Sequence, residues 1–326
     1  DHSVEFAAGT PTIRTVQAGK RWSVQDAAGH LYLAYVKDAD NDGIPESLEI
    51  QAPPYLFGHR TFGFLLSGTI TSLMDNTVLR LTSEYDLIIR GNVLLKGAHA
   101  TLILQSDRWV YDEGFLTVTG SIEVYGGVRE DGTDKGGAND KGSSVYVHET
   151  AVLNTSEAGG HIFVTGSQDV DLFGAVVPGG TIGTQGVTWA GPDSSARITA
   201  GQQIYVDSAI IAAKSVELIA GQAGADDSRL SVVLNSAGGL TAAGLTSDNS
   251  GALVSVKAGT DFQVLGRIIA GATVTQQFNP NGDRIGETFD WTSKPGLLHL
   301  EAGGQAFVGG VTTNRQGATI ETGVSA

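Results

Sequence analysis

The chain has 326 residues, of which 41% are hydrophobic and 45 are glycine, and it carries a net charge of −15 from 20 basic and 35 acidic side chains, with no cysteine. That apolar content excludes a disordered chain, glycine without a three-residue period excludes collagen, and the acidic balance excludes nucleic acid and anionic membrane as partners. A chain without cysteine has no disulfide framework and no thiolate metal site, and no apolar run approaches the ~20 residues that span a bilayer.

The first 70 residues are the least regular. Leu31-Tyr-Leu-Ala-Tyr-Val36 alternates like a strand, and a complete twelve-position calcium loop follows it, Asp38-Ala-Asp40-Asn-Asp42-Gly43-Ile44-Pro-Glu46-Ser-Leu-Glu49. Carboxylates stand at positions 1, 3 and 5 (Asp38, Asp40, Asp42), glycine at the sharp turn, and the Ile44 carbonyl at position 7. Glu46 stands at position 9, and Glu49 at position 12, where a bidentate carboxylate is expected. Five carboxylates in so short a segment repel one another unless a cation lies between them, so the expected cofactor is Ca2+ in a structural role. A strand before the loop argues against a paired helix-loop-helix hand. The run resembles the calcium loops of thrombospondin type 3 repeats and similar loops of secreted bacterial proteins. After it come an Ala52-Pro53-Pro54 break and an aromatic cluster, Tyr55, Phe57, Phe62 and Phe64. Residues 1–70 are therefore expected to form a cap, a junction or a small separate module.

From residue 71 onward the pattern is one of short apolar runs between glycines. Val78–Thr82, Leu87–Gly91, Ala100–Leu104, Phe115–Thr119 and Ser121–Tyr125 read as strands. Arg129–Ser143 is Gly-rich and acidic, with Glu130, Asp131, Asp134 and Asp140; it reads as a surface loop with four carboxylates for a second cation but no recognised ligand spacing. Asp169 and Asp171, two apart, are expected on one strand face, and the adjacent Asp226 and Asp227 on opposite faces. Ser208–Ala220 is Ala- and Ile-rich, but its β-branched content fits strands. Beyond residue 196 the chain repeats itself. Ala-Gly pairs begin at 200, 220, 258 and 302, and each opens a unit such as Ala200-Gly-Gln-Gln-Ile204-Tyr-Val206 or Ala258-Gly-Thr-Asp-Phe262-Gln-Val264. The gaps of 20, 38 and 44 residues read as one, two and two units of roughly 20, the period of one coil of a solenoid. Phe278–Pro295, with Asn279-Pro-Asn-Gly-Asp283, interrupts the pattern as a second expected loop. Tandem β-sandwiches also give short strands, but without internal similarity at this period.

The seven histidines are dispersed with no pair at metal-ligand spacing, and no nucleophile elbow, phosphate loop or dinucleotide fingerprint occurs. The four tryptophans (22, 109, 189 and 291) fit packing positions better than a sugar-binding face. Over about residues 196–312 the Ala-Gly-x-x-apolar-x-Val units resemble the haemagglutinin-type repeats of large bacterial secreted adhesins such as the filamentous haemagglutinin family. That resemblance implies a right-handed parallel β-helix, secretion to the cell surface, and a role in attachment or fibre formation. The sequence as a whole thus predicts an all-β protein, a parallel β-solenoid over 71–326 behind the irregular calcium-loop segment. The expected role is extracellular, structural or adhesive, and non-enzymatic. Expected partners are further copies of the chain in a filament or the continuation of a longer chain, and a surface glycan or host receptor. Asp1 without a Met and the strand-like Gly323–Ala326 read as the ends of a mature form or a piece. The competing reading is a β-helix polysaccharide lyase or hydrolase, which needs a carboxylate pair or calcium beside a base.

Overall fold

The computed structural model describes residues 75–139, 142–221, 230–248, 250–278 and 284–310, together with the segments 5–6, 21–25, 31–37, 47–51, 64–66, 69–73, 312–314 and 318–322. Among them every regular element is a strand. The chain winds through three faces in turn, so that each coil adds one strand to each of three sheets of 12, 9 and 10 strands. One complete coil runs Ser195–Ala200 on sheet I, Ile204–Val206 on sheet II and Ala209–Ala212 on sheet III, and the next opens on sheet I at Ser215–Ala220. Neighbouring coils pair in parallel on all three faces, which is a β-solenoid and not a sandwich. The parallel stacking begins with Ser47–Gln51, which pairs with Val78–Ser83. Ahead of it Arg21–Gln25 and Leu31–Lys37 extend sheet I as antiparallel strands.

The core follows from alternation along each strand. Ser215–Ala220 and Ser121–Gly126 each alternate half-buried with buried positions, the inward set being Val216, Leu218 and Ala220 in the first. Because the strands are in register, inward residues stack into ladders through the coils, one being Leu104, Val124, Val164, Ile198, Leu218 and Val256. All six are at most 2% exposed, and each contributes roughly 1.5–3 kcal/mol by leaving water. Asp112 breaks one such ladder. It stands in register between Ile89 and Val147 with its carboxylate 2% exposed, Oδ1 accepting from the Gly114 N–H at 3.0 Å.

Ala200, Ala220, Ala258 and Ala302 are also one ladder, pairing successively across sheet I. The gaps of 38 and 44 residues therefore each hold a single coil with an insertion, not two coils. The sequence period misled because insertions here are nearly as long as a coil. The last of them is not a loop either: Ala272–Phe278 and Arg284–Trp291 form an antiparallel hairpin.

Candidate ligand-binding cleft

Two insertions leave the solenoid at the same corner, between sheet III and the following sheet I strand, and they meet outside it. The first is a hairpin of Gly180–Gly183 and Gly186–Trp189, which follows the sheet III strand Ala175–Val177. The second is the hairpin Ala272–Trp291, which follows Arg267–Ala270, three strands further along sheet III. At ~4.8 Å between neighbouring strands their roots lie about 14 Å apart. The hairpins join through the Gly186 and Thr275 pairing and a hydrogen bond from the Gln276 N–H to the Gln185 carbonyl at 2.9 Å. Together they make a four-stranded canopy over sheet III.

Glycine is needed where the hairpins touch. Gly186 has φ of +136°, and a Cβ there would lie 2.8 Å from the Val274 carbonyl oxygen, so any side chain is both strained and in collision with the other hairpin.

Under the canopy the outer face of sheet III is the floor. Ile211, Thr241 and Ile269 stand in register, as do Ala209, Gly239 and Arg267. Ile269 points away from the core yet is 1% exposed, because the canopy covers it. The small side of the floor, Ala209 and Gly239, leaves a partly enclosed cleft of about 490 Å3 whose roof includes Val187, Trp189, Thr273, Val274, Gln276 and Glu287. Arg267 is the pillar. From the floor its guanidinium pairs with Glu287 in the roof and lies 5.2 Å from the centre of the Phe289 ring, which in turn stacks on Trp291. Trp189 lines the cleft, and its indole N–H is buried with no acceptor among the described residues. The cleft so offers one large ring, apolar flanks, hydroxyl and amide side chains, and a charge pair that neutralises itself.

The outer face of sheet II carries a second conspicuous feature, a run of rings through four coils: Trp109, Tyr111, Tyr146, Phe173 and Tyr205, with centroids 5.2, 5.3, 5.2 and 5.4 Å apart. Trp109 and Tyr111 belong to one coil, and the other three spacings are close to the rise from coil to coil. The rings spend their faces on one another, so they brace the stack and leave little ring face for a ligand. Tyr111 donates to Glu113 at 2.6 Å and Asn235 Nδ2 donates to the Tyr205 hydroxyl at 3.0 Å, and burial pushes the Tyr111 hydroxyl pKa upward.

Of the expected calcium ligands, Asp38, Asp40, Asp42, Ile44 and Glu46 lie outside the described residues. The strands on either side of them are paired, with Lys37 opposite Ser47, so the two ends of the loop are held together; Glu49 occupies a strand position opposite Tyr35 and next to Arg80. In the acidic 129–143 segment the charges are taken up locally. Arg129 makes two hydrogen bonds to Asp107 at 2.8 and 2.6 Å, Glu130 pairs with Arg80, and Asp131 and Asp134 accept from Thr133 and Gly136 backbone N–H groups in their own turns. Asp140 is outside the described residues. Among the described residues no three His, Asp or Glu side chains converge as a cation site. Asp169 and Asp171 do share the outer side of their strand. Asp169 is 3% exposed and accepts from the Gln203 N–H at 3.1 Å, while Asp171 accepts from the Ser143 hydroxyl. Asp226 and Asp227 are outside the described residues. Trp109, Trp189 and Trp291 all stand outside the core, in the ring ladder and the canopy.

Sequence reasoning passed over the Gly180–Trp189 hairpin. Its signal was present: two short alternating runs, Thr181-Ile182 and Val187-Thr-Trp189, separated by Gly183-Thr-Gln-Gly186, a hairpin pattern. No protein-family model, no curated protein and no solved structure matches the chain.

Proposed function

We propose that this is a non-enzymatic extracellular protein of structural or adhesive role, stabilised by calcium, and a subunit or part of a surface fibre or large adhesin. The observation that carries the reading is the division between frame and display. The coils form a regular frame with in-register cores, and the irregular segments stand outside it, two of them joined over a cleft. A rigid stack that holds a recessed site away from its core suits attachment better than turnover, because the frame positions the site while the insertions vary its shape.

Calcium belongs to the same reading. A loop whose ends are already held by paired strands loses less entropy when a cation orders it. Extracellular modules of this loop type work at the calcium levels found outside cells, about 10⁻⁴–10⁻³ M. Self-association through further stacking of coils is the expected route to a fibre.

The test is a paired measurement on the purified chain. Sedimentation with calcium and with chelator reads assembly, and incubation with uronate-containing polysaccharides reads product release. Calcium-dependent assembly or retention on intact cells, without new unsaturated ends, is the expected result. Release of unsaturated products would replace this reading with that of a lyase.

A further inference from the structure

We propose that the cleft between the canopy and sheet III is a binding site for the end of a neutral glycan, one or two hexose units long. The inference deepens the adhesive reading and rests on it, since it names what the surface takes hold of.

Size comes first. About 490 Å3 lies within the ~300–1,000 Å3 range of small-ligand sites and suits a mono- or disaccharide. The lining then selects the class. A sugar ring has an apolar face of C–H groups and a rim of hydroxyls, each of which donates and accepts. Trp189 supplies an indole against which such a face packs, and Gln276, Thr241 and Thr273 supply amide and hydroxyl groups for the rim. Glu287 is held by Arg267, and a carboxylate so held accepts hydrogen bonds from adjacent hydroxyls.

Charge decides against acidic sugars. Among the described residues the cleft contains one cation and one anion, paired with each other, and no further positive charge to receive a uronate or sialate carboxylate. The chain as a whole, at −15, repels them.

The Trp189 N–H is buried without an acceptor among the described residues and is closed to a water-sized group, so a sugar in the cleft meets the indole through its ring and not through this N–H.

Access follows from how the canopy is built. The two hairpins arise from separate coils and meet through one pairing and one short bridge, so they are a gate that parts without disturbing the core ladders.

The experiment uses the full chain with lactose, maltose, cellobiose and methyl α-mannoside as neutral probes and digalacturonate as the acidic one. Saturation-transfer NMR reads contact, and quenching of tryptophan emission reads Trp189. At least one neutral probe is expected to give saturation transfer at about millimolar concentration, and digalacturonate none. Trp189→Ala and Glu287→Gln are each expected to weaken binding about tenfold or more, while Trp109→Phe, in the ring ladder, leaves it unchanged. Circular dichroism and melting of each variant show that the frame persists; Trp189→Phe, a smaller change, serves if Trp189→Ala melts early. The proposal is overturned if no neutral probe binds the wild-type chain at about 10 mM, or if binding survives both Trp189→Ala and Glu287→Gln. Either result leaves calcium-dependent assembly and cell retention to be judged on their own. Cleavage of a probe in the same tubes would instead strike the non-enzymatic reading.

Discussion

Asp112 sits where its neighbours in adjacent coils are Ile89 and Val147, and its Oδ2 has no partner among the described residues. Burial pushes its pKa well above the ordinary carboxylate value and the Glu113 charge adds to this, while the hydrogen bond from the Gly114 N–H opposes it. The folded chain therefore holds this proton more tightly than the unfolded chain does. The stability that this contributes is complete below about pH 4 and is lost as pH rises towards the folded pKa. Asparagine keeps the acceptor for Gly114 and cannot ionise. Asp112→Asn should raise stability at pH 8 by on the order of 1–3 kcal/mol, and the gain should shrink towards nothing near pH 4. Urea midpoints measured across that range decide it; a gain that ignores pH would mean that ionisation is not the cause. Two residues further on, Gly114 turns the chain from sheet II to sheet III, and a Cβ there would lie 1.8 Å from the Gly91 carbonyl oxygen of the preceding coil. Coils cannot move apart locally without breaking ladders on three faces. Gly114→Ala should therefore cost about 3 kcal/mol or more in urea unfolding, well beyond the ordinary cost of a surface Gly→Ala change.

At the scale of elements, strands and insertions behave differently, and so does their legibility. Strands such as Ile204–Val206 and Phe262–Val264 could be read from the chain because burial on one side forces alternation, and alternation is visible in the letters. The gap between Ala220 and Ala258 could not be parsed, because insertion length obeys no period. The canopy was hidden for a further reason: its hairpins are separated by three coils in sequence and meet through the Gly186 and Thr275 pairing and the adjacent Gln276 to Gln185 hydrogen bond. A glycine in a hairpin is ordinary, and nothing local announces that another hairpin's carbonyl lies against it. That contact gives a sharp prediction. Gly186→Ala collides with the Val274 carbonyl and should part the hairpins while the coils stay folded. Hydrogen exchange should speed up at the Gln276 N–H, which donates to Gln185, and remain slow at Leu218 and Val256 in sheet I. Unchanged exchange at Gln276 would show that the bridge tolerates a side chain. In the ring ladder Tyr146 touches both Tyr111 and Phe173, so Tyr146→Ala should cost roughly 1–3 kcal/mol beyond the lost area, read as a lower urea midpoint.

For the whole molecule the question is what holds the first coils. The proposed calcium loop was the most legible candidate in the chain, since its spacing states the expected ligand positions outright, and the fold adds where its ends lie. Lys37 and Ser47 are paired, and the strands they end extend sheet I beyond the first parallel coil. Without a cation the clustered carboxylates Asp38, Asp40, Asp42, Glu46 and Glu49 repel one another and work against the pairing that brings the loop ends together. On the proposed reading calcium reverses the sign, and its binding would favour the folded chain by mass action, about 2.7 kcal/mol when free calcium is a hundred times Kd. Two consequences separate this from a plain acidic turn. Adding calcium to chelated protein should raise the melting temperature, and magnesium should do so less, because it resists the many-oxygen, flexible coordination that such a loop offers. Replacing Asp40 and Glu49 together by alanine should abolish the calcium response, yet leave the chelated protein as stable as the chelated wild type or more so, since two repelling charges have gone. A double variant that melts early with and without calcium would mean that these carboxylates serve the fold directly. A double variant that still gains stability from calcium would place the cation elsewhere in the chain.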